Sequence, residues 1–201
     1  MCNPMTNPLM NELKRNPQAV DQPIVLRDGK RLDTRLHRST DGQRLTHYFT
    51  HLSEATRRVY GPHPFTAEQA HAFCRDVNYA DTLRFLALDG ERIVAYFILR
   101  LGILDSDFDR YALRNQRLND HTDCTLAPSV ADDYQERGVG SALFLLLSRL
   151  AKKLGRKRIV LWGGVRADNP RAVHFYEKLG FVEWGQFKTK DTNNYDMLLE
   201  L

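Results

Sequence analysis

The sequence predicts an α/β fold of the α+β kind: a mixed β-sheet that splays near its centre and is flanked by helices. Three observations lead there. Asp28-Gly29 and Asp89-Gly90 each sit between short apolar segments, the signature of tight turns joining antiparallel strands. Between Thr122 and Trp162 a strand pattern, a long apolar helical stripe and a second strand pattern follow in turn, which places the two strands in parallel across a right-handed crossover. Pro128 interrupts the first of those strands, and a proline, having no N–H for the ladder, marks an edge or a bulge at which parallel neighbours can part.

The elements follow in chain order. Met1 to about Gln22 holds Pro4, Pro8 and Pro17 and few large apolar residues, which predicts a loose tail over 1–22 ahead of one domain over 23–201. Ile24 to Arg27 and Leu32 to His37 form a hairpin around Asp28-Gly29-Lys30. Leu45, Tyr48, Phe49, Leu52 and Val59 recur at near-helical spacing, predicting one amphipathic helix between Asp41 and Gly61-Pro62. Thr66 and Gln69 stand at capping-box spacing before a second helix with Ala70, Phe73 and Val77 on one face. Leu83 to Leu88 and Ile93 to Ile103 flank the next Asp-Gly turn as strands. Leu104 to Asn119 is charged and aperiodic, which predicts a long connection with one helical turn.

After the Thr122 to Val130 strand, Val139, Leu143, Leu146, Leu147, Leu150 and Leu154 make a helical stripe ended by Gly155. Arg158 to Trp162 is the next strand. Asn169 caps a helix with Pro170 at its first position and Gly180 past its end. Phe181 to Phe187 and Asn194 to Leu201 close the chain as strands, the last offering an edge for pairing in a homodimer.

Composition excludes several classes. With 201 residues, 42% of them hydrophobic and 27% charged, the chain has material for one real core and is neither disordered nor a disulfide scaffold. Cys2, Cys74 and Cys124 are far apart and form no CxxC, so no zinc or disulfide framework is expected. No signal-like start and no long apolar run occurs, which predicts a cytoplasmic protein without a membrane partner. The net charge of +4 concentrates at Lys152, Lys153, Arg156, Lys157 and Arg158, but no aromatics interleave there, so nucleic acid is not the expected partner. His47 and His51 have metal-pair spacing without an evident third ligand, and no metal is expected.

Chemistry concentrates at Gln135-Glu136-Arg137-Gly138-Val139-Gly140-Ser141, between the interrupted strand and the long helix. Two glycines there expose main-chain amides at a helix start, where unpaired N–H groups and the helix dipole favour an anion such as a pyrophosphate. Arg137 adds a cation. The spacing is neither a Walker loop nor the dinucleotide fingerprint. The parted strands would leave main-chain groups free for an extended arm such as pantetheine.

Val130 to Leu143, with Asn169-Pro170-Arg171-Ala172 through Tyr176 to Gly180-Phe181, resembles the GNAT superfamily of acyl-CoA N-acyltransferases, by its Gln/Arg-x-x-Gly-x-Gly/Ala and Asn-x-x-Ala-x-x-x-Tyr-x-x-x-Gly-Phe signatures. Weaker likeness covers about Ile24 to Leu201. The resemblance implies an N-acetyltransferase that moves an acetyl group from acetyl-CoA to a primary amine, of a small molecule or a protein, by direct attack in a ternary complex. It implies that Gln135, Glu136, Arg137, Gly138, Val139, Gly140 and Ser141 hold the pyrophosphate and that backbone near Ser129 and Val130 meets pantetheine. Asn169 would contact the arm or cap its helix, and Tyr176 would be the general acid, since a phenol can protonate a thiolate of similar basicity.

The base that frees the amine is open. Where many relatives place a Glu, this chain has Cys124, and the neighbouring Asp123 is taken as the base, with Asp107, Glu91 and His121 as alternatives; Cys124 reads as a core thiol rather than a nucleophile. Acceptor contacts are expected from the first two helices and from the Leu104 to Asn119 and Lys188 to Asn193 loops. A second reading is a catalytically silent acyl-CoA-binding regulatory module.

Overall fold

The computed structural model describes residues 7–189 and 192–201. Cys2 and the start of the expected tail, and Lys190 and Asp191 of the last loop, lie outside the described residues.

Two Asp-Gly turns build the first half of a nine-stranded sheet, the first hairpin alternating in burial and the second buried almost throughout. Strands β1 (Gln22–Val25) and β2 (Arg31–Leu36) form the first hairpin, and β3 (Thr82–Asp89) and β4 (Arg92–Arg100) the second. The sheet continues through β5 (Asp123–Val130), β6 (Arg158–Leu161), β7 (Val165–Arg166), β8 (Val182–Thr189) and β9 (Thr192–Glu200). The order runs β1-β2-β3-β4-β5-β6-β9, with β7 following β6 along one edge of β9 and β8 on the other. Only β5 and β6 are parallel. Because β9 is flanked on both sides, it is not the free edge expected for pairing with a second copy; β8 holds that place, with Val182 and Trp184 exposed.

The tail reading is overturned where the chain is described. Pro8–Arg15 forms helix α1, with Leu13 wholly buried and Leu9 and Met10 packed on the same core. Asn7 starts it by accepting the Leu9 N–H at 2.9 Å, with Pro8 at the first helical position, and its amide donates to the Lys153 carbonyl. Asn7-Pro8 is the same cap-and-proline start as Asn169-Pro170, masked in the sequence by the scattered prolines around it.

The single helix expected after Asp41 is two, α2 (Gly42–His51) and α3 (Glu54–Arg58). Leu52 turns extended (ψ 140°), and the Ser53 hydroxyl accepts the Thr56 N–H at 3.2 Å as a new N-cap. Helix α4 (Ala67–Arg75) starts at Thr66 as expected. The Leu104 to Asn119 connection holds the two-turn helix α5 (Asp105–Ala112), more than the one turn read from its charges, because Phe108 and Tyr111 pack with Ile103, Val160 and Leu198 in a second small core. Helix α6 (Val139–Lys153) buries the whole predicted stripe, and α7 (Pro170–Lys178) follows its cap. No described helix is long and apolar enough to cross a membrane.

Candidate active site

The two parallel strands separate where the sequence placed a break. Register between β5 and β6 ends at Leu126 opposite Leu161, closed by the Trp162 N–H donating to the Leu126 carbonyl at 2.9 Å. Ala127 to Val130 stay paired with β4 without a bulge, so Pro128 marks an edge. Four residues of β5, about 13 Å of strand, thus lie open on the β6 side.

Which groups face that opening follows from ladder alternation. The Ala131 N–H donates to the Val94 carbonyl, so Ser129 opposite Tyr96 lies in a hydrogen-bonded pair, while Pro128 and Val130 turn their main-chain groups away from β4. The Ser129 backbone, expected to meet a ligand arm, is therefore committed to β4, and its hydroxyl bonds the Tyr48 hydroxyl at 2.9 Å. Val130 is the free donor. Its carbonyl accepts from the Gln135 amide at 3.0 Å.

Below the opening, α6 begins without a side-chain cap, its first residue preceded by Gly138 at φ +85°. The first helical bond runs from Ala142 to Gly138, leaving the N–H groups of Val139, Gly140 and Ser141 without helical acceptors. Glu136 (φ +61°) and Gly138 bend the chain around this end. A Cβ on Gly138 would meet nothing within 4 Å, whereas one on Gly140 would lie 3.2 Å from Phe175. Gly138 therefore answers a backbone requirement above an open cradle, and Gly140 a close helix contact.

The other residues of the segment divide by role. The Val139 side chain is core. Gln135 braces the loop through Val130 and the Thr56 hydroxyl. Arg137 stays at the mouth, 3.1 Å from Asp28 of the first hairpin turn and 4.8 Å from the Tyr134 ring. Asp132, missed by sequence reasoning, ties this loop to α3: it accepts the Ser53 N–H and the Ser53 and Thr56 hydroxyls at 2.8, 2.7 and 2.6 Å. Burial works against its charge, but these bonds prevail and hold the carboxyl below its usual range.

Tyr176 lies on α7, packed edge-on to Phe175 and Phe181 and almost buried. Burial raises its phenol above the ordinary value. Asn169 caps α7, accepting the Ala172 N–H at 3.2 Å.

Asp123 is engaged elsewhere. It is wholly buried, held by Arg158 at 3.0 and 2.6 Å and by the Asn119 N–H at 2.7 Å. It also stands at the paired end of β5, six residues or about 20 Å from Ser129. The geometry makes it a structural anion. Glu91 is exposed and paired with Arg44, and His121 is exposed in a loop. Asp107 is wholly buried near the Gly163 amide, one residue past the Trp162 that closes the β5–β6 ladder: Arg110, which also holds Asp196, takes one oxygen, and the other has no side-chain partner. Burial raises its carboxyl above the usual range against the lowering pull of Arg110 and Gly163.

Several other readings resolve as structure. Burial pushes the Cys124 thiol up to about 12, and it donates to the Arg158 carbonyl. His47 and His51 stack at 3.8 Å, and no metal-ligating cluster exists among the described residues. Arg156 and Arg158 of the basic cluster are consumed by carbonyls and by Asp123. A surface hollow near Arg31, Arg35, Arg38 and Arg44 lies off the opening, each arginine paired with an acid.

Comparison with known proteins gives a consistent picture. The sequence profile of the acetyltransferase (GNAT) family matches residues 46–181. An uncharacterized N-acetyltransferase of Methanocaldococcus jannaschii is 44% identical over 54 residues, 27% of this chain and 23% of that one. The ribosomal protein bS18-alanine N-acetyltransferase of Escherichia coli K12 is 33% identical over 100 residues, 49% of this chain and 62% of its own. The chain thus spans less than two thirds of the length of these curated relatives. The GNAT domain of S. lividans PAT superposes with a TM-score of 0.73 over 92% of this chain and 99% of that one, at 20% identity, a likeness of fold.

Proposed function

Since the chain belongs to the acetyltransferase (GNAT) family, we propose that it transfers an acetyl group from acetyl-CoA to a primary amine by direct attack within a ternary complex. The observation that carries this is the parting of β5 from β6 directly above the uncapped start of α6. The amides of Val139, Gly140 and Ser141 would take the pyrophosphate, with Arg137 at the mouth, and Val130 N–H would pair with the pantetheine arm. Holding both reactants in place supplies roughly 7–11 kcal/mol of the barrier.

An alkylamine is mostly protonated near neutrality, and deprotonating it costs about 4 kcal/mol there. The base role passes from Asp123 to Asp107, whose unpartnered oxygen takes the amine proton. As the C–S bond breaks, the thiolate takes the Tyr176 proton. Acidic residues on α5, Asp105 and Asp109 exposed and Asp107 buried, favour a cationic acceptor, small or on a protein.

Calorimetric titration with acetyl-CoA, followed by thiol-release turnover on an amine panel, tests this reading. Gly138→Trp should abolish binding, since its side chain fills the cradle. Tyr176→Phe should keep the affinity and lose turnover by about 10²-fold or more. No binding by the wild type would end the proposal, and tight binding with no turnover on any amine would return the chain to the reading of a silent acyl-CoA-binding regulatory module.

A further inference from the structure

Tyr48 and Tyr96 stand against Ser129 of the open stretch of β5, and Tyr60 joins them through the Phe65 ring, which it stacks on at 4.4 Å and which Tyr48 meets edge-on at 6.5 Å. Tyr48 of α2 bonds Ser129. The Tyr96 hydroxyl of β4 takes the Arg84 Nε–H and meets His63 Nε2, each at 3.2 Å. His63 Nδ1 donates to the Pro64 carbonyl at 2.9 Å, which leaves Nε2 to accept the Tyr96 proton. Among the described residues the Tyr60 hydroxyl has no hydrogen-bond partner, and its oxygen is shut from solvent although part of its ring is exposed.

A buried hydroxyl without a partner costs roughly 1–3 kcal/mol, so its retention calls for an explanation. Tyr60 is not loosely placed. Its ring stacks on Phe65 at 4.4 Å and meets His63 edge-on at 5.3 Å. It stands two residues past α3, which Asp132 and Gln135 fasten to the loop following β5. Burial raises its phenol, and the Phe65 ring links it to Tyr48, whose hydroxyl bonds Ser129 on the open stretch of β5. The rigid mounting, buried oxygen and missing partner describe a donor prepared for an acceptor atom that arrives with a ligand.

We infer that the Tyr60 hydroxyl donates a hydrogen bond to the acyl carbonyl oxygen of the bound thioester and stabilises the oxyanion formed when the amine adds. This rests on the acetyl-transfer reading above. The amine lone pair forms the C–N bond while the carbonyl π pair moves to oxygen. Tyr60 holds that charge without giving up its proton. The pair then re-forms C=O, the C–S bond breaks, the thiolate takes the Tyr176 proton and Asp107 keeps the proton of the amine. A donor aimed at developing charge is typically worth 10²–10³ in turnover.

The test uses Tyr60→Phe, which removes the oxygen and keeps the ring, with three probes: acetyl-CoA, CoA, which lacks the acyl group, and S-ethyl-CoA, which lacks only the carbonyl oxygen. Titration of the wild type should show tighter binding of acetyl-CoA than of S-ethyl-CoA. In Tyr60→Phe that preference should shrink by about fivefold, with CoA and S-ethyl-CoA affinities unchanged, as loss of one neutral hydrogen bond implies. Turnover should fall by about 10²-fold while the melting temperature of the free protein does not fall. Equal loss for all three probes, or an unchanged preference with turnover within about twofold of wild type, would overturn the assignment. If the wild type binds none of the three, the acetyl-transfer reading itself has failed and this inference falls with it.

Discussion

His37 is wholly buried on β2's flank, with Nε2–H donating to the Phe73 carbonyl at 3.1 Å and Nδ1 without a partner. Burial lowers it from 6.5 to about 4, so the folded state favours the neutral ring. Its contribution is complete above pH 6.5 and is lost as pH falls toward 4, by about 3 kcal/mol at roughly 1.4 per unit. Urea denaturation at pH 7 and pH 4.5 should show this loss, and His37→Asn should flatten it. Two aspartates test the assignment of the base in the same way. Asp123→Asn strands Arg158 beside a neutral amide and should cost about 3 kcal/mol of stability while leaving the shape of the pH–turnover profile intact. Asp107→Asn should abolish the acidic limb of that profile, because activity needs the ionised carboxylate and is lost as pH falls through its raised pKa. An acidic limb unchanged in Asp107→Asn would remove Asp107 from the mechanism.

Elements here are placed by their ends as much as by their faces. Gly138 leaves α6 without a side-chain cap, whereas α1, α3, α4 and α7 each start on a side-chain cap, at Asn7, Ser53, Thr66 and Asn169. Helices α2 and α5 also start without a side-chain cap, so what sets α6 apart is the left-handed Gly138 before it together with the open stretch of β5 beside it. Asn169→Ala should destabilise the protein by about 1 kcal/mol, and Asn169→Ser, which keeps an accepting oxygen, should restore most of it. If acetyl-CoA affinity follows stability across this pair, Asn169 acts as a cap; affinity lost equally in both variants would make it a ligand contact. The break between α2 and α3 was written in Leu52-Ser53, but a continuous apolar period hid it. Only Asp132, distant in sequence, shows what Ser53 is for.

Across the whole molecule, the segment from Asn7 to Arg15 belongs to the fold. Leu13 is fully enclosed, and Asn7 reaches the far end of α6. Leu13→Ala should cost about 2–5 kcal/mol and lower the melting temperature by roughly 5–15 °C in a chain of this size. A shift under about 2 °C would mean that α1 docks without contributing to stability.

Local patterns by themselves determined the strand-helix-strand crossover, the stripe of α6, the Asn169-Pro170 start, the Asp-Gly turns and the site of parting at Pro128. Each depends on neighbours within a few residues, through backbone geometry or helical period. Tertiary structure decided the rest, because those facts depend on partners far along the chain. Asp123 and Asp107 are both acids near strand and helix starts, yet Arg158 takes both oxygens of the first, whereas Arg110 takes a single oxygen of the second and leaves the other buried without a partner. β9 was read as an edge and became interior, since strand order is set by packing. The unpartnered Tyr60 hydroxyl was invisible in a loop without period, for a buried oxygen is defined by what surrounds it.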